Sequence, residues 1–263
     1  MNRPATPATA AIAQAPADAS PAEVRRLLGE PGVEAVALPR SSLDRLPYNE
    51  FVRALLNRQG FKLDFRGQAP HAVLAMVADR LLGPGSFGAE RSLLAQEIAV
   101  LEAFASRLIG TGAAPQTSIR TYFAPGDLVW HVDRVNERTA FRLLWPLGRP
   151  AGMRITSADN IDPGIYRAYM RREHPLLCKL DTRVLHTGVD AEQYWAHRPV
   201  QLEAMRSGGF PFLLDEDAVA QVPPDAISIH RVETPAQHGT YHCSSWANRQ
   251  APGLQVVITV AAD

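Results

Sequence analysis

Apolar residues recur on different periods in the two halves of the chain. From Ala89 to Leu108, the residues Leu94, Ile98, Leu101, Ala105 and Leu108 step by four and three, a single stripe down a long amphipathic helix that needs a surface to cover it. Upstream, VEAVALPR from Val33 reads as a short strand. SSLDRLPYNEFVRALLNR then carries Ser and Asp capping signals ahead of helically spaced Phe51, Leu55 and Leu56. HAVLAMVADRLL has helical spacing too. After Gly112 the texture changes: TSIRTYF, LVWHVDRV, TAFRLLWPL, GMRIT, AISIHRVE and LQVVITV are rich in β-branched and aromatic residues, which predicts strands. Two helical segments interrupt them, YRAYMRR and a stretch after Asp190, where aspartate caps AEQYWAHR ahead of Pro199. There is no internal repeat.

These patterns predict an α+β chain. Residues 1–22, with nine alanines and four prolines, offer almost no large side chain to offset the entropy of ordering and are expected to form a loose tail. Residues 23–112 are expected to be mainly helical, and 113–263 to form a β core with a helical insertion over about 160–220. Gly83, Gly85 and Gly88 in LLGPGSFGAE match the GxGxxG spacing of dinucleotide loops. The preceding segment is helical rather than a buried strand, so the expectation is a plain interhelical loop.

Composition narrows the partners. Apolar residues make up 46% and charged ones 21% of the 263 residues, as in ordinary globular proteins, and 27 basic residues balance 27 acidic ones. A zero balance supplies no field for gathering nucleic acid or an anionic membrane, so a small-molecule ligand is expected. Cys178 and Cys243 are too few and too far apart for a disulfide framework or a CxxC site. No apolar run is long enough for a membrane span or a signal peptide, and a cytoplasmic location is the expectation. GxSxG, GxxxxGK[ST] and HExxH signatures are absent.

The chemistry concentrates in YFAPGDLVWHVDR, Tyr122 to Arg134. On a strand, Val129, His131 and Asp133 share one face, and Trp130, Val132 and Arg134 the other. An imidazole and a carboxylate on a common face can occupy two adjacent positions of a divalent metal. A further histidine from another strand completes a facial triad, leaving positions open for a bidentate cosubstrate and dioxygen, as iron(II) oxidation chemistry requires. The bland expectation for Trp130 and Trp145 is core packing. For Cys243, next to His242, it is a buried thiol pointing the other way.

SIRTYFAPGDLVWHVD followed by TAFRLLWPL resembles the iron(II) and 2-oxoglutarate dependent oxygenases, whose fold is a double-stranded β-helix, a jelly-roll or cupin-like barrel. The chain also resembles an uncharacterised bacterial domain family with an early HVD and a late histidine-x-serine. The helical N-terminal half is expected to pack on that barrel, the helix from Ala89 to Leu108 backing one sheet with its apolar stripe. The resemblance implies a second histidine ligand shortly before the last strand, within DAISIHRVETPAQHGTYHCSSWANRQAPGLQVVITV. His242 is the choice because it enters a hairpin whose other arm is LQVVITV. His238, eleven residues before Arg249, and His186, at a shorter spacing, stay open, and His230 lies in the same region. The implied metal set is thus His131, Asp133 and His242 on Fe(II), with 2-oxoglutarate as cosubstrate, dioxygen as oxidant and a small, carboxylated or amino-acid-like substrate to be hydroxylated. Where many members carry arginine on the last strand, this chain has Gln255. The grip on 2-oxoglutarate is therefore expected from Arg142 or Arg249, with a phenolic hydrogen bond from Tyr122. A non-catalytic, metal-binding cupin-like protein using the same residues is the competing expectation. Nothing in the sequence indicates an oligomeric state.

Overall fold

A computed structural model describes residues 11–57, 61–65, 67–110, 113–122, 130–148, 151–171, 209–245 and 253–263, with side chains at 61–64, 120–122 and 253 excepted. Strand β1 (Ala11–Gln14) leads into α1 (Pro21–Leu28), whose first turn is capped by Ser20 Oγ accepting from the Glu23 amide at 3.2 Å. Next come β2 (Val33–Pro39), α2 (Asn49–Leu56), β3 (Phe61–Asp64), α3 (Pro70–Leu82) and α4 (Gly88–Ile109). The C-terminal half contributes β4 (Gln116–Tyr122), β5 (Thr139–Leu147), β6 (Arg154–Thr156) and a helix α5 described over 163–171. It ends with β7 (Ala220–Gln221), β8 (Ala226–Arg231), β9 (Tyr241–Cys243) and β10 (Gly253–Ala262).

Seven strands form one sheet in the order β1-β2-β8-β5-β10-β4-β3, antiparallel throughout except where β1 runs parallel to β2. A smaller sheet has the order β7-β6-β9. The result is a mixed α/β molecule with a large, mostly antiparallel sheet, an arrangement compatible with a jelly roll. Alternation along the central strands divides the large sheet into two unlike faces. Phe141, Leu143, Trp145 and Leu147 of β5, Ile227 and Ile229 of β8, and Leu254, Val256, Ile258 and Val260 of β10 join one apolar cluster with Phe51 and Leu55 of α2, Leu74 of α3 and the α4 stripe. That stripe is Leu94, Ile98, Leu101, Ala105 and Leu108, the residues picked out by their spacing, and all five are buried. Each large aliphatic side chain so covered contributes about 1.5–3 kcal/mol relative to exposure.

The opposite face carries His230, Ser228 and Ala226 on β8, Arg142, Leu144 and Pro146 on β5, and Thr259 and Gln255 on β10. At its β2 end, Ala35 and Ala37 pack with Ile155 of β6, Val222 and Ala226, so the small sheet lies over this face.

Three expectations need amending. Residues 11–22 are not a loose tail: β1 pairs with β2, Ala15 and Ala19 are buried, and α1 begins at Pro21. Backbone pairing and small side chains fill the place that bulky ones would otherwise occupy. The first half also places three strands in the large sheet. LVWHVDRV is not a continuous strand over its described residues 130–135, where His131 and Arg134 make isolated bridges. Most of the helical insertion, including AEQYWAHR, lies outside the described residues, as does the PGD turn. GPGSFG joins α3 to α4 as the interhelical loop expected, Gly85 N–H donating to Asp79 at 3.0 Å. Among the described residues no helix is long and apolar enough to cross a membrane.

Candidate metal centre

Two reciprocal backbone bonds set the site. His131 N–H donates to the His242 carbonyl at 3.0 Å and His242 N–H returns to the His131 carbonyl at 2.9 Å, so the early HxD and the late histidine lie side by side. Two residues on, Glu233 N–H donates to the Asp133 carbonyl at 2.8 Å and Val135 N–H to the Glu233 carbonyl at 3.0 Å. The 131–135 strip is thereby clamped between β9 and the segment leaving β8. Side chains alternate along it as on a strand: Trp130 is fully buried with Tyr166, Tyr169, Phe210, Phe212 and Cys243, while His131 and Asp133 face the space between the sheets. Arg154 stacks over the Trp130 ring, 5.5 Å from its centroid.

His131, Asp133 and His242 each bring a ligand atom to within 4.8 Å of the others. Metal–nitrogen and metal–oxygen bonds of about 2.1 Å put neighbouring ligand atoms about 3 Å apart, so this donor set closes on an ion with shifts of the order of an ångström. His242 Nδ1 lies 3.0 Å from the Thr240 carbonyl, and its Nε2 lies 3.4 Å from Asp133 Oδ2. That Oδ2 is buried and accepts no hydrogen bond among the described residues, the state of a ligand atom awaiting a partner. Two imidazoles and one carboxylate suit a divalent transition metal such as iron(II) or zinc better than magnesium or calcium.

The carboxylate has further company. Arg142 Nη1 forms an ion pair with Asp133 Oδ1 while Arg142 Nε donates to Thr259 Oγ1 at 2.9 Å. His230, fully buried on β8, places Nε2 at 3.9 Å from Asp133 Oδ2, and its ring centroid is 4.7 Å from that of His242. Burial pushes the Asp133 carboxyl upward, but His230, His242 and Arg142 outweigh it and hold the group well below the usual carboxylate range. For His230 burial is the largest influence; helped by His242 and Arg142 against Asp133, it brings the imidazole down to about 4. His230 is therefore neutral near pH 7.

A cavity of about 100 Å³ opens beside these groups, lined by His131, Asp133, Arg142, His242 and Gln255, with Leu144, Met153 and Val222 among its apolar walls. Of the residues singled out in the sequence, His131, Asp133, His242 and Arg142 thus converge, and Gln255 lines the same cavity. His238 is exposed and outside the cluster. His186 and Arg249 lie outside the described residues, and of Tyr122 only the backbone is described, paired with Gly253. Cys243 is buried away from the cavity and Trp145 is core. His230 is one of the histidines in the region expected to close the triad, but not the one chosen. In AISIHR it shares a face with Ser228, but only the pairing of His230 with Arg142 puts that face under Asp133.

No family model matches the chain, and no curated protein is similar to it in sequence. Among solved structures it is similar to the dioxygenase for auxin oxidation 1 from Arabidopsis thaliana in a binary complex with 2-oxoglutarate, with 12% identity over 96% of this chain and 92% of that one and a TM-score of 0.45. It is also similar to EvdMO1, with 14% identity over 81% of this chain and 50% of that one and a TM-score of 0.31.

Proposed function

We propose that the chain is a mononuclear iron(II) and 2-oxoglutarate dependent oxygenase that hydroxylates a small molecule inside a double-stranded β-helix. The observation that carries this is the convergence of His131, Asp133 and His242 within 4.8 Å at the wall of a cavity between two sheets. Three protein ligands leave the rest of an octahedral ion's positions for cosubstrate and dioxygen. When bound, the iron and the keto acid supply the oxidising chemistry.

The chain's own residues bind, orient and exclude water. Thr240 fixes the His242 tautomer and aims Nε2 into the cavity. Arg142 holds one Asp133 oxygen and lines the cavity with Gln255; its guanidinium, a fork that suits a carboxylate, is the group we assign to the cosubstrate among the described residues. Gln255 offers an amide where a second charge would otherwise stand. Leu144, Met153 and Val222 keep one side of the cavity apolar, which restricts water around the reacting centre.

Anaerobic titration with iron(II) and then 2-oxoglutarate tests the proposal. One equivalent of iron is expected to bind, and the keto acid to add a weak visible charge-transfer band. Asp133→Ala should remove metal binding, band and 2-oxoglutarate turnover together. Stoichiometric iron with neither band nor keto-acid consumption would instead indicate a metal-binding protein without oxygenase activity.

A further inference from the structure

His230 has no place in the three-ligand set, yet its surroundings are hard to explain without the metal. It is 0% exposed, and neither ring nitrogen has a hydrogen-bond partner among the described residues. A buried, unpartnered imidazole destabilises a folded protein, and an apolar side chain of similar size would not. Packing therefore does not account for it.

Its placement offers another account. His230, Arg142 and Thr259 are register partners across β8, β5 and β10, a polar row on the face beneath Asp133. Thr259 steadies Arg142, and Arg142 takes Asp133 Oδ1. His230 Nε2 is directed at the other oxygen, Oδ2, from 3.9 Å, too far for a hydrogen bond yet with both atoms buried and unpartnered. His131 on the strip and His242 on β9 bring ligand atoms close to the same carboxylate. His230 falls outside the group of mutually close ligand atoms, although its ring lies against that of His242 with the centroids 4.7 Å apart.

We propose that His230 is a positioning residue for the metal-binding carboxylate, donating from Nε2 to Asp133 Oδ2 when the site is loaded, and that it lowers the stability of the metal-free protein. With Arg142 it makes a two-sided brace fixing the plane of the carboxylate, so that one oxygen is presented to the ion. This rests on the metal-site assignment above. Groups that orient metal ligands typically change affinity by roughly 10- to 100-fold when removed.

The test uses cobalt(II), whose visible spectrum reports ligand number and geometry, on the full chain. His230→Leu should weaken cobalt binding by roughly tenfold or more, with the band shape of the residual complex retained. His230→Gln, which keeps an N–H donor, should stay within about threefold of the unsubstituted protein. Metal-free His230→Leu should melt no lower than the unsubstituted protein. His230→Asn, whose amide falls short of Oδ2, repeats the weakening if the leucine variant does not fold. Unchanged affinity in the leucine or asparagine variant overturns the proposal. So does equal weakening in the leucine and glutamine variants with an altered band shape, which would make His230 a ligand. Failure of the unsubstituted protein to bind cobalt or iron would instead bring down the metal-site assignment, and this proposal with it.

Discussion

Gly239 shows how little freedom the strip carrying the ligands has. A Cβ at this position would sit 2.4 Å from Val132 Cγ2 and 2.5 Å from the Glu233 amide nitrogen. Val132 lies between His131 and Asp133, so whatever moves it moves a proposed ligand. Gly239→Ala is expected to cost roughly 1–3 kcal/mol by overpacking and to weaken metal binding as well. Urea unfolding and a metal titration check the two effects, and a normal affinity with lowered stability would show that the strain is absorbed elsewhere. Neither this need for glycine nor the part played by His230 can be read from the sequence, because each arises from a contact between distant segments. His131 and Asp133 were legible, since alternation alone puts them on one face. His242 was legible only through its position before the closing strand.

At the scale of elements, α4 was the plainest signal: its stripe predicted a covered helix, and the sheet face behind β5 and β10 covers it. The junction with β4 is polar, Thr117 Oγ1 donating to Glu102 Oε1 at 2.5 Å. Partial burial of Glu102 raises its carboxyl above the ordinary 4.5 despite that bond. A carboxyl raised in the folded state contributes stability that is present below its unfolded value and lost as pH climbs through the folded one. Stability should therefore decline as pH rises from about 4.5 into the range just above it, and Glu102→Gln should shrink that limb, leaving the part owed to Glu34, whose burial raises its carboxyl too; melting curves across this range, compared between the two proteins, measure it. Less legible was LVWHVDRV, which reads as a strand by composition but over its described residues 130–135 is tied in by isolated bridges to residues 233 and 242. Composition reports how side chains suit a sheet, not how many ladder bonds the backbone will make.

For the molecule as a whole, the N-terminal segment completes one margin of the large sheet. Arg231 binds it down, donating to the carbonyls of Leu28 at 2.6 Å and Val33 at 2.9 Å and pairing with Glu34, while Thr240 Oγ1 donates to the Glu34 carbonyl at 2.8 Å. Low side-chain bulk hid β1 from any pattern of apolar residues, since its order comes from backbone pairing. Deleting residues 1–14 removes β1 and bares the edge of β2. The shortened chain should melt a few degrees lower and aggregate faster on heating, yet still take up one metal ion, because the deleted strand carries none of the proposed ligands. Light scattering during a thermal ramp, with metal stoichiometry measured beforehand, decides this. The order of the large sheet also bears on how the protein comes into being. β10 slots between β4 and β5, so neither of those strands can complete its pairing in a nascent chain until residues 253–262 have been made. Until then their facing edges lack a partner, and transiently unpaired strand edges are prone to pair with other chains.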